Sequence, residues 1–309
     1  MDLYYSMYHA LLKNPRIFKT DMCKYTQTAR NTVNKYWKEA FQNEILFHPQ
    51  LRLKMTSSAV EYIYMVKVTN PLSCLPFLRK KSVIYCCFLA GSYNLMFTSY
   101  APVDISLIPE YKHTFLSGRR SDFVIPTVPK QSYEKAYKII ERKLKNSPEP
   151  SQIPLDLPVG ITWTRAEWEL YHVLKYNFRS KFTSLIKKCN ISVSSFYERV
   201  KQITKQTDII IPFYPLGQTH YMIFHLLIRS SYHTFIINCF SQFPVWSIHC
   251  RIKDYIFCRV AISKWVSCEK FFTLLSTFQD MGVIDDYELS IPYRSEHSQN
   301  GAPPPPPSP

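Results

Sequence analysis

A chain of 309 residues is longer than one typical domain, and with 46 % apolar residues it can build more than one core. Its six glycines form neither GxGxxG nor GxxxxGK(S/T), which excludes nucleotide-binding loops of those kinds. The formal charge of +15 suits a polyanion, and residues 1–150 carry most of it, with 22 Lys and Arg against 11 Asp and Glu, compared with 16 against 12 in the remainder.

Leu3, Met7, Ala10 and Leu11 recur at spacings of three and four, predicting a first helix that Asn14-Pro15 ends. A short helix over residues 20–25 precedes a longer one over 29–43, with Thr28 placed to cap it. ILFHPQLRLKM then has the extended character of the wing in a winged helix. The alternating run 62–68 predicts a strand, 71–78 a short helix, and VIYCCFLAG with YNLMFTS a hairpin turning at Gly91-Ser92. Past Tyr100 the pattern blurs: residues 100–118 are expected to hold a helix and 122–125 the closing strand.

Residues 146–160, NSPEPSQIPLDLPVG, are proline-rich and predict a hinge. Beyond it the spacing predicts helices over 161–174, 182–188 and 193–205, the last capped by Ser192, and a second wing in IIIPFYPLG. A strand at 220–228, a helix at 232–241, strands PVWSIHCRI and YIFCRVAIS, a helix at 268–279 and a strand VIDDYELSI follow. This is the βαββαβ order of a ferredoxin-like fold. Residues 295–309, ending GAPPPPPSP, predict a disordered or polyproline II tail.

The two halves repeat at an offset of 163 residues. Asn14-Pro15-Arg16 falls on Asn177-Phe178-Arg179, Met22 and Cys23 on Leu185 and Ile186, Val33 on Phe196, Trp37 on Val200, Ala40 on Ile203, and Pro49 on Pro212. The expected fold is therefore α+β, with a winged helix-turn-helix at 1–58 and a ferredoxin-like domain at 59–145. After the linker, the second copy has its winged helix-turn-helix at 161–217 and its ferredoxin-like domain at 218–294. The two ferredoxin-like units are expected to pair through their sheets as an internal pseudo-dimer.

A helix-turn-helix braces one helix so that the outer face of the next enters the major groove. Met22, Cys23, Val33, Trp37 and Ala40 supply the inward contacts, leaving Arg30, Asn31, Asn34, Lys35 and Lys38 outside. Arg and Asn make bidentate bonds to base edges, Lys holds phosphate, and Thr32 can do either. Arg52 and Lys54 on the wing, with Arg16 and Lys19 near the helix starts, would flank the groove. The second copy offers Ser194, Ser195, Arg199 and Gln202, with Tyr197 adjacent and Glu198 opposing, a set that suits weak DNA contact and packing equally.

NPRIFKTDMCKYTQTARNTVNKYWKEA resembles the winged helix-turn-helix of the Lrp/AsnC family of prokaryotic, especially archaeal, transcription regulators, in which an NPR start, a short helix and an S-R-x-T-V recognition helix recur. Ala29-Arg30-Asn31-Thr32-Val33 departs at the first position, which weakens the cap and leaves the groove-facing set intact. The βαββαβ segments resemble that family's effector-binding and dimerisation domain, so the resemblance covers nearly all of residues 1–294. It implies a DNA-binding transcription regulator, with double-stranded DNA as partner and room for a small-molecule effector and further homo-oligomers. In the family a Gly and an Asp mark the effector site near the hairpin between the middle strands. Here Ala90-Gly91-Ser92-Tyr93-Asn94 carries Asn instead of Asp, and Ile252-Lys253-Asp254-Tyr255 lacks the Gly. Hairpin turns use the same residues for conformation alone.

Nine cysteines without a CxxC pair read as buried thiols of a reducing compartment. No metal or cofactor is expected, since His220 and His225, five apart in a strand-like run, point to opposite faces. No signal peptide or membrane-spanning stretch is evident, which suggests a soluble cytoplasmic protein. Tandem Lrp-like folds also resemble sirohaem decarboxylases, in which His and Arg near the sheet act on a tetrapyrrole. In this sequence Arg119-Arg120 has only His113 nearby and His249 lies beside Cys250 in an apolar strand, so no catalytic residues are assigned and no enzyme is expected. An RNA-binding or scaffold adaptor is the remaining alternative, from aromatics able to stack bases.

Overall fold

The computed structural model describes residues 2–80, 83–146, 148–157, 160, 162–266 and 268–297. In chain order its helices are α1 (Asp2–Lys13), α2 (Lys19–Thr26), α3 (Arg30–Gln42), α4 (Leu75–Lys80), α5 (Tyr133–Leu144), α6 (Arg165–Leu174), α7 (Phe182–Cys189), α8 (Val193–Lys205), α9 (His233–Phe240) and α10 (Cys268–Asp280). The strands are β1 (Gln50–Leu53), β2 (Tyr62–Val68), β3 (Val83–Gly91), β4 (Leu95–Ser99), β5 (Tyr111–Arg119), β6 (Thr207–Ile210), β7 (Tyr221–Arg229), β8 (Ile248–Ile252), β9 (Tyr255–Ser263) and β10 (Asp286–His297). They form two compact units, Met1–Lys54 with Thr162–His220, and Met55–Ile161 with Tyr221–Pro309.

Among the described residues the first unit holds six α-helices and one two-stranded sheet. Apolar residues at helical spacing fix the inward faces: Met22 on α2, Val33 and Ala40 on α3, Phe196, Val200 and Ile203 on α8 are all buried. Gln27 (φ 51°) and Asn190 (φ 49°), which the 163-residue offset aligns, both end a short helix in the left-handed conformation. Ser192 accepts the Ser195 backbone N–H at 3.1 Å and caps α8. Thr28 does not cap α3; Ala29 holds that position, because the Thr28 N–H closes the preceding turn onto the Cys23 carbonyl at 3.1 Å.

Two arginines tie the two sets of helices together. Arg16 donates to the carbonyls of Phe178 and Ser180, and its guanidinium lies 3.4 Å from the Phe182 ring centroid. Arg179 donates to Pro15 and Ile17, each at 2.9 Å, and sits 4.8 Å from the Trp37 ring centroid. Asn14 and Asn177 each accept the backbone N–H of their own arginine at 3.0 Å. The exchange is reciprocal: each arginine binds backbone carbonyls on the other's segment. Burial, with help from Arg16, pushes Arg179 down to about 10. The two segments expected as wings pair with each other: β1 runs antiparallel to β6 from Gln50↔Ile210 to Leu53↔Thr207, which satisfies backbone groups that a lone strand would leave open.

In the second unit eight strands form one antiparallel sheet in the order β5-β2-β4-β3-β10-β7-β9-β8. The halves meet where β3 pairs with β10. Gly91 (φ 142°) stands at that junction, where an added Cβ would lie 2.4 Å from the Leu289 carbonyl oxygen. The outer strands return to one another through bridges Arg120↔Ile252 and Val124↔His249, so the sheet curls and its edges cover each other. Alternation sorts the side chains. Ile63, Met65, Cys87 and Leu89 join Leu227, Cys250 and Phe257 in one core, whereas Tyr64, Val66, Cys86 and Phe88 pack with Cys74 and Leu78 in the other. Phe224 and Phe240 meet Phe271 of α10 on the second half.

Two expectations change here. Residues 100–118 form no α-helix; they hold a 3-10 turn, Ile105–Leu107, and then β5, which pairs along β2, while 122–125 contributes only the bridge at Val124. Pro102 and Pro109 break the helix pattern, and β2 offers a full ladder to the chain that follows. The helix comes later, as α5, capped by Ser132 and buried through Tyr133, Ala136, Tyr137 and Ile140. It lies on the second half of the sheet: Tyr133 and Tyr137 contact Phe243, and the Tyr133 hydroxyl donates to the Ala261 carbonyl at 3.1 Å. The βαββαβ order therefore appears in β7-α9-β8-β9-α10-β10, while the first half runs βαβββα. β10 extends through His297. The proline-rich tail beyond it, and residues 147, 158 and 159 of the expected hinge, lie outside the described residues.

Where β5 ends, the Arg120 side chain is fully enclosed and its Nε donates to Glu61 at 2.7 Å, while Nη1 donates to the Ser121 carbonyl. Arg120→Ala leaves the Glu61 carboxylate without that partner, and is expected to destabilise the unit by roughly 3–5 kcal/mol. Urea unfolding of the full chain measures this; a loss under about 1 kcal/mol would show the pair to be dispensable.

Candidate functional sites

Helix α3 has the amphipathic division that groove insertion needs. Val33 and Ala40 face inward, while Arg30, Asn31, Lys35 and Lys38 are exposed and Thr32 and Asn34 half-buried. Residues 31, 35 and 38 share one ridge, and 30 and 34 lie beside it. The one carboxylate of α3, Glu39, accepts the Tyr4 hydroxyl at 3.3 Å and is turned to α1. Among the described residues, Arg30, Asn31, Asn34, Lys35 and Lys38 have no hydrogen-bonding or ion-pairing side-chain partner. A cationic outward face of this kind holds polyanions by Coulomb attraction.

The other residues expected to flank a groove stand apart from that face in their contacts. Arg16 is engaged by the backbone on either side of Arg179. Lys19 is exposed, 5.9 Å from the Trp37 ring centroid. Arg52 donates to Gln50 Oε1 at 2.5 Å and lies 5.7 Å from the Tyr176 ring centroid, and Lys54 pairs with Asp208 at 3.6 Å. Pairing of β1 with β6 draws both into the unit's own surface.

On α8 the aligned positions carry other chemistry. Val193 stands at the place of Arg30, Ser194 at Asn31, Tyr197 at Asn34 and Glu198 at Lys35. All four are exposed, Val193 by 59 % and Tyr197 by 54 %.

The second unit contains a constellation that the sequence reading overlooked. His225 of β7 and Arg259 of β9 are register partners, and the His225 ring meets Phe257 at 5.2 Å, edge to face. Burial, then the charge of Arg259, hold His225 well below the ordinary imidazole range, and its Nδ1 has no hydrogen-bond partner among the described residues. Tyr93, fully buried, donates its hydroxyl to the His225 carbonyl at 3.3 Å. A neutral imidazole beside a guanidinium can move a proton near a bound carboxylate. The pair is 34 positions apart in sequence, and only laying β7 against β9 in register would have found it. His249, by contrast, bonds Ser247 at 3.0 Å and is pushed down to about 3 by burial.

The two loops that resemble effector markers have conformational duties. Asn94 accepts the Val68 N–H at 2.9 Å and donates to the Val68 carbonyl at 2.8 Å. Lys253 occupies the positive-φ position of the β8–β9 turn. No helix of the described residues is long and apolar enough to cross a membrane.

No protein-family model matches the sequence, and no curated protein matches it. The structure is similar to that of the sirohaem decarboxylase NirDL, with a TM-score of 0.51 and 12 % identity over 91 % of this chain and 86 % of that one. It is equally similar to NirDL in co-complex with an iron-uroporphyrin III analogue, at 0.51 and 11 % identity over 94 % and 92 %. At this level of identity the likeness is one of fold. That likeness corrects one expectation: these two solved structures are those of an enzyme, so the reading that excluded catalysis does not stand.

The buried histidines make stability pH-dependent. His233 is pushed down to about 4, chiefly by burial, and joins His225 and His249 in staying neutral when folded. The unfolded chain, with imidazoles near 6.5, binds more protons below that value, so stability is full above it and falls as pH drops toward 4. Each such ring should contribute a slope of about 1.4 kcal/mol per pH unit. Hydrogen exchange of β7 and β9 amides between pH 7.5 and 5 reads this, and protection unchanged at pH 5 would show that the rings are solvated.

Proposed function

We propose that this chain is a DNA-binding transcription regulator in which α2 braces α3 and α3 enters the major groove. The observation that carries the reading is the outward face of α3, cationic and without partners of its own. Arg30 and Asn34 would reach base edges, Lys35 and Lys38 would hold phosphates, and Asn31 and Thr32 would serve either. In this reading the chain is a tandem duplication of winged helix-turn-helix and ferredoxin-like domains, paired as an internal pseudo-dimer. Its curled sheet then does the work of a dimerisation interface within one polypeptide. A small-molecule effector fits the same reading.

Affinity would come mostly from phosphate contacts, so binding should weaken steeply with salt. In gel shifts of genomic fragments across a salt series, Arg30→Ala/Lys35→Ala is expected to lose binding at physiological salt and to reduce the slope of log K against log salt by about one for each phosphate no longer neutralised. Binding equal to the wild type, with the helices intact by circular dichroism, would reject α3 as the reading face.

A second reading follows from the His225–Arg259 pair and the likeness to NirDL: an Lrp-fold enzyme of the sirohaem decarboxylase type. Arg259 would hold a substrate carboxylate. When the carbon–carboxyl bond breaks, its electron pair stays on carbon and carbon dioxide leaves. A proton drawn from solvent and relayed through the neutral His225 ring would then reach that carbon. Titration with iron uroporphyrin III should then shift its absorption bands, and Arg259→Ala should abolish the shift; bands unmoved by the wild-type chain would exclude this reading.

A further inference from the structure

We propose that the DNA site of this chain is not an inverted repeat: α3 and α8, equivalent in place, favour different base pairs at equivalent positions of their two half-sites. This rests on the DNA-binding reading and names the sequence class it recognises.

Two observations carry it. The first is reciprocity within the first unit. Arg16 donates to the backbone beside Arg179, Arg179 donates to the backbone beside Arg16, and β1 pairs antiparallel with β6. Regulators built on such two-fold exchange present two equivalent helices to DNA, and their operators mirror that symmetry. The second is that the helices are equivalent in place and different in chemistry. Both are 13 residues long and follow a left-handed turn at aligned positions, Gln27 and Asn190.

On α3 the exposed set includes Arg30 and Asn31 with Asn34 beside them, groups that pair bidentately with guanine O6 and N7 and with adenine N6 and N7. On α8 the same places hold Val193, Ser194 and Tyr197, with Glu198 at the place of Lys35 and Lys201 at that of Lys38, each exposed. A valine offers only apolar contact, which in the major groove suits the thymine C5-methyl. A glutamate repels phosphate but accepts a hydrogen bond from cytosine N4. With no cation at the Lys35 position, α8 would add specificity more than affinity. Where Arg30 favours a G·C pair, Val193 at the same place favours A·T, so one base pair repeated in both halves does not suit both helices.

Selection of the full chain against a random duplex pool, followed by gel shifts, tests this. The expected sites lack inverted symmetry. Replacing thymine by uracil in the α8 half, which removes only the methyl group, should weaken binding about tenfold, as should Val193→Ser on the thymine site. V193R/S194N/Y197N/E198K gives α8 the α3 pattern on exposed positions, and should convert the selected site to an inverted repeat. Inverted repeats selected by the wild type would overturn the proposal, as would a site specified in one half only, even when R30A abolishes binding and the DNA-binding reading stands. Absence of binding to every duplex would overturn both.

Discussion

Neither half of this chain can satisfy its own backbone. β1 is a single strand in its half and finds a ladder only in β6, and the four strands of the first half end at β3, whose open side is closed by β10. Unpaired strand edges are sticky and costly to leave exposed. Each half must therefore supply what the other lacks, and the order of elements in both units follows from that. Gly91 marks how tight the joint is, since any side chain there would strike the β10 backbone. Arg16 and Arg179 do for the helices what these ladders do for the strands, fixing each set by hydrogen bonds to carbonyls of the other.

Function follows from what those requirements leave over. On α3, packing uses Val33, Ala40 and Trp37, and a tyrosine turns Glu39 away, so the remaining side chains form one positive surface. In the curled sheet, packing fills most inward positions with apolar groups, and His225 beside Arg259 joins Arg120 and His249 among the buried polar side chains. Polar groups retained in an apolar interior are costly unless paired, which makes such a pair a natural place to look for chemistry. The two sites suit different chemistries, and one fold carries both.

Local elements were readable from the chain alone, because helix and strand periodicities are written in neighbouring residues. The α3 range, the β2 range and the whole β7-to-β10 order were legible in this way, and so was the cationic set on α3, since a helix fixes which residues share a face. Long-range packing settled the pairing of β1 with β6, the use of residues 111–119 as a strand, the seating of α5 on the opposite half and the meeting of His225 with Arg259. It also drew Arg16 into the fold. The physical reason is distance along the chain: these contacts join residues from about 30 to more than 160 positions apart, and no local pattern encodes which distant partner will fill an open ladder or receive a guanidinium.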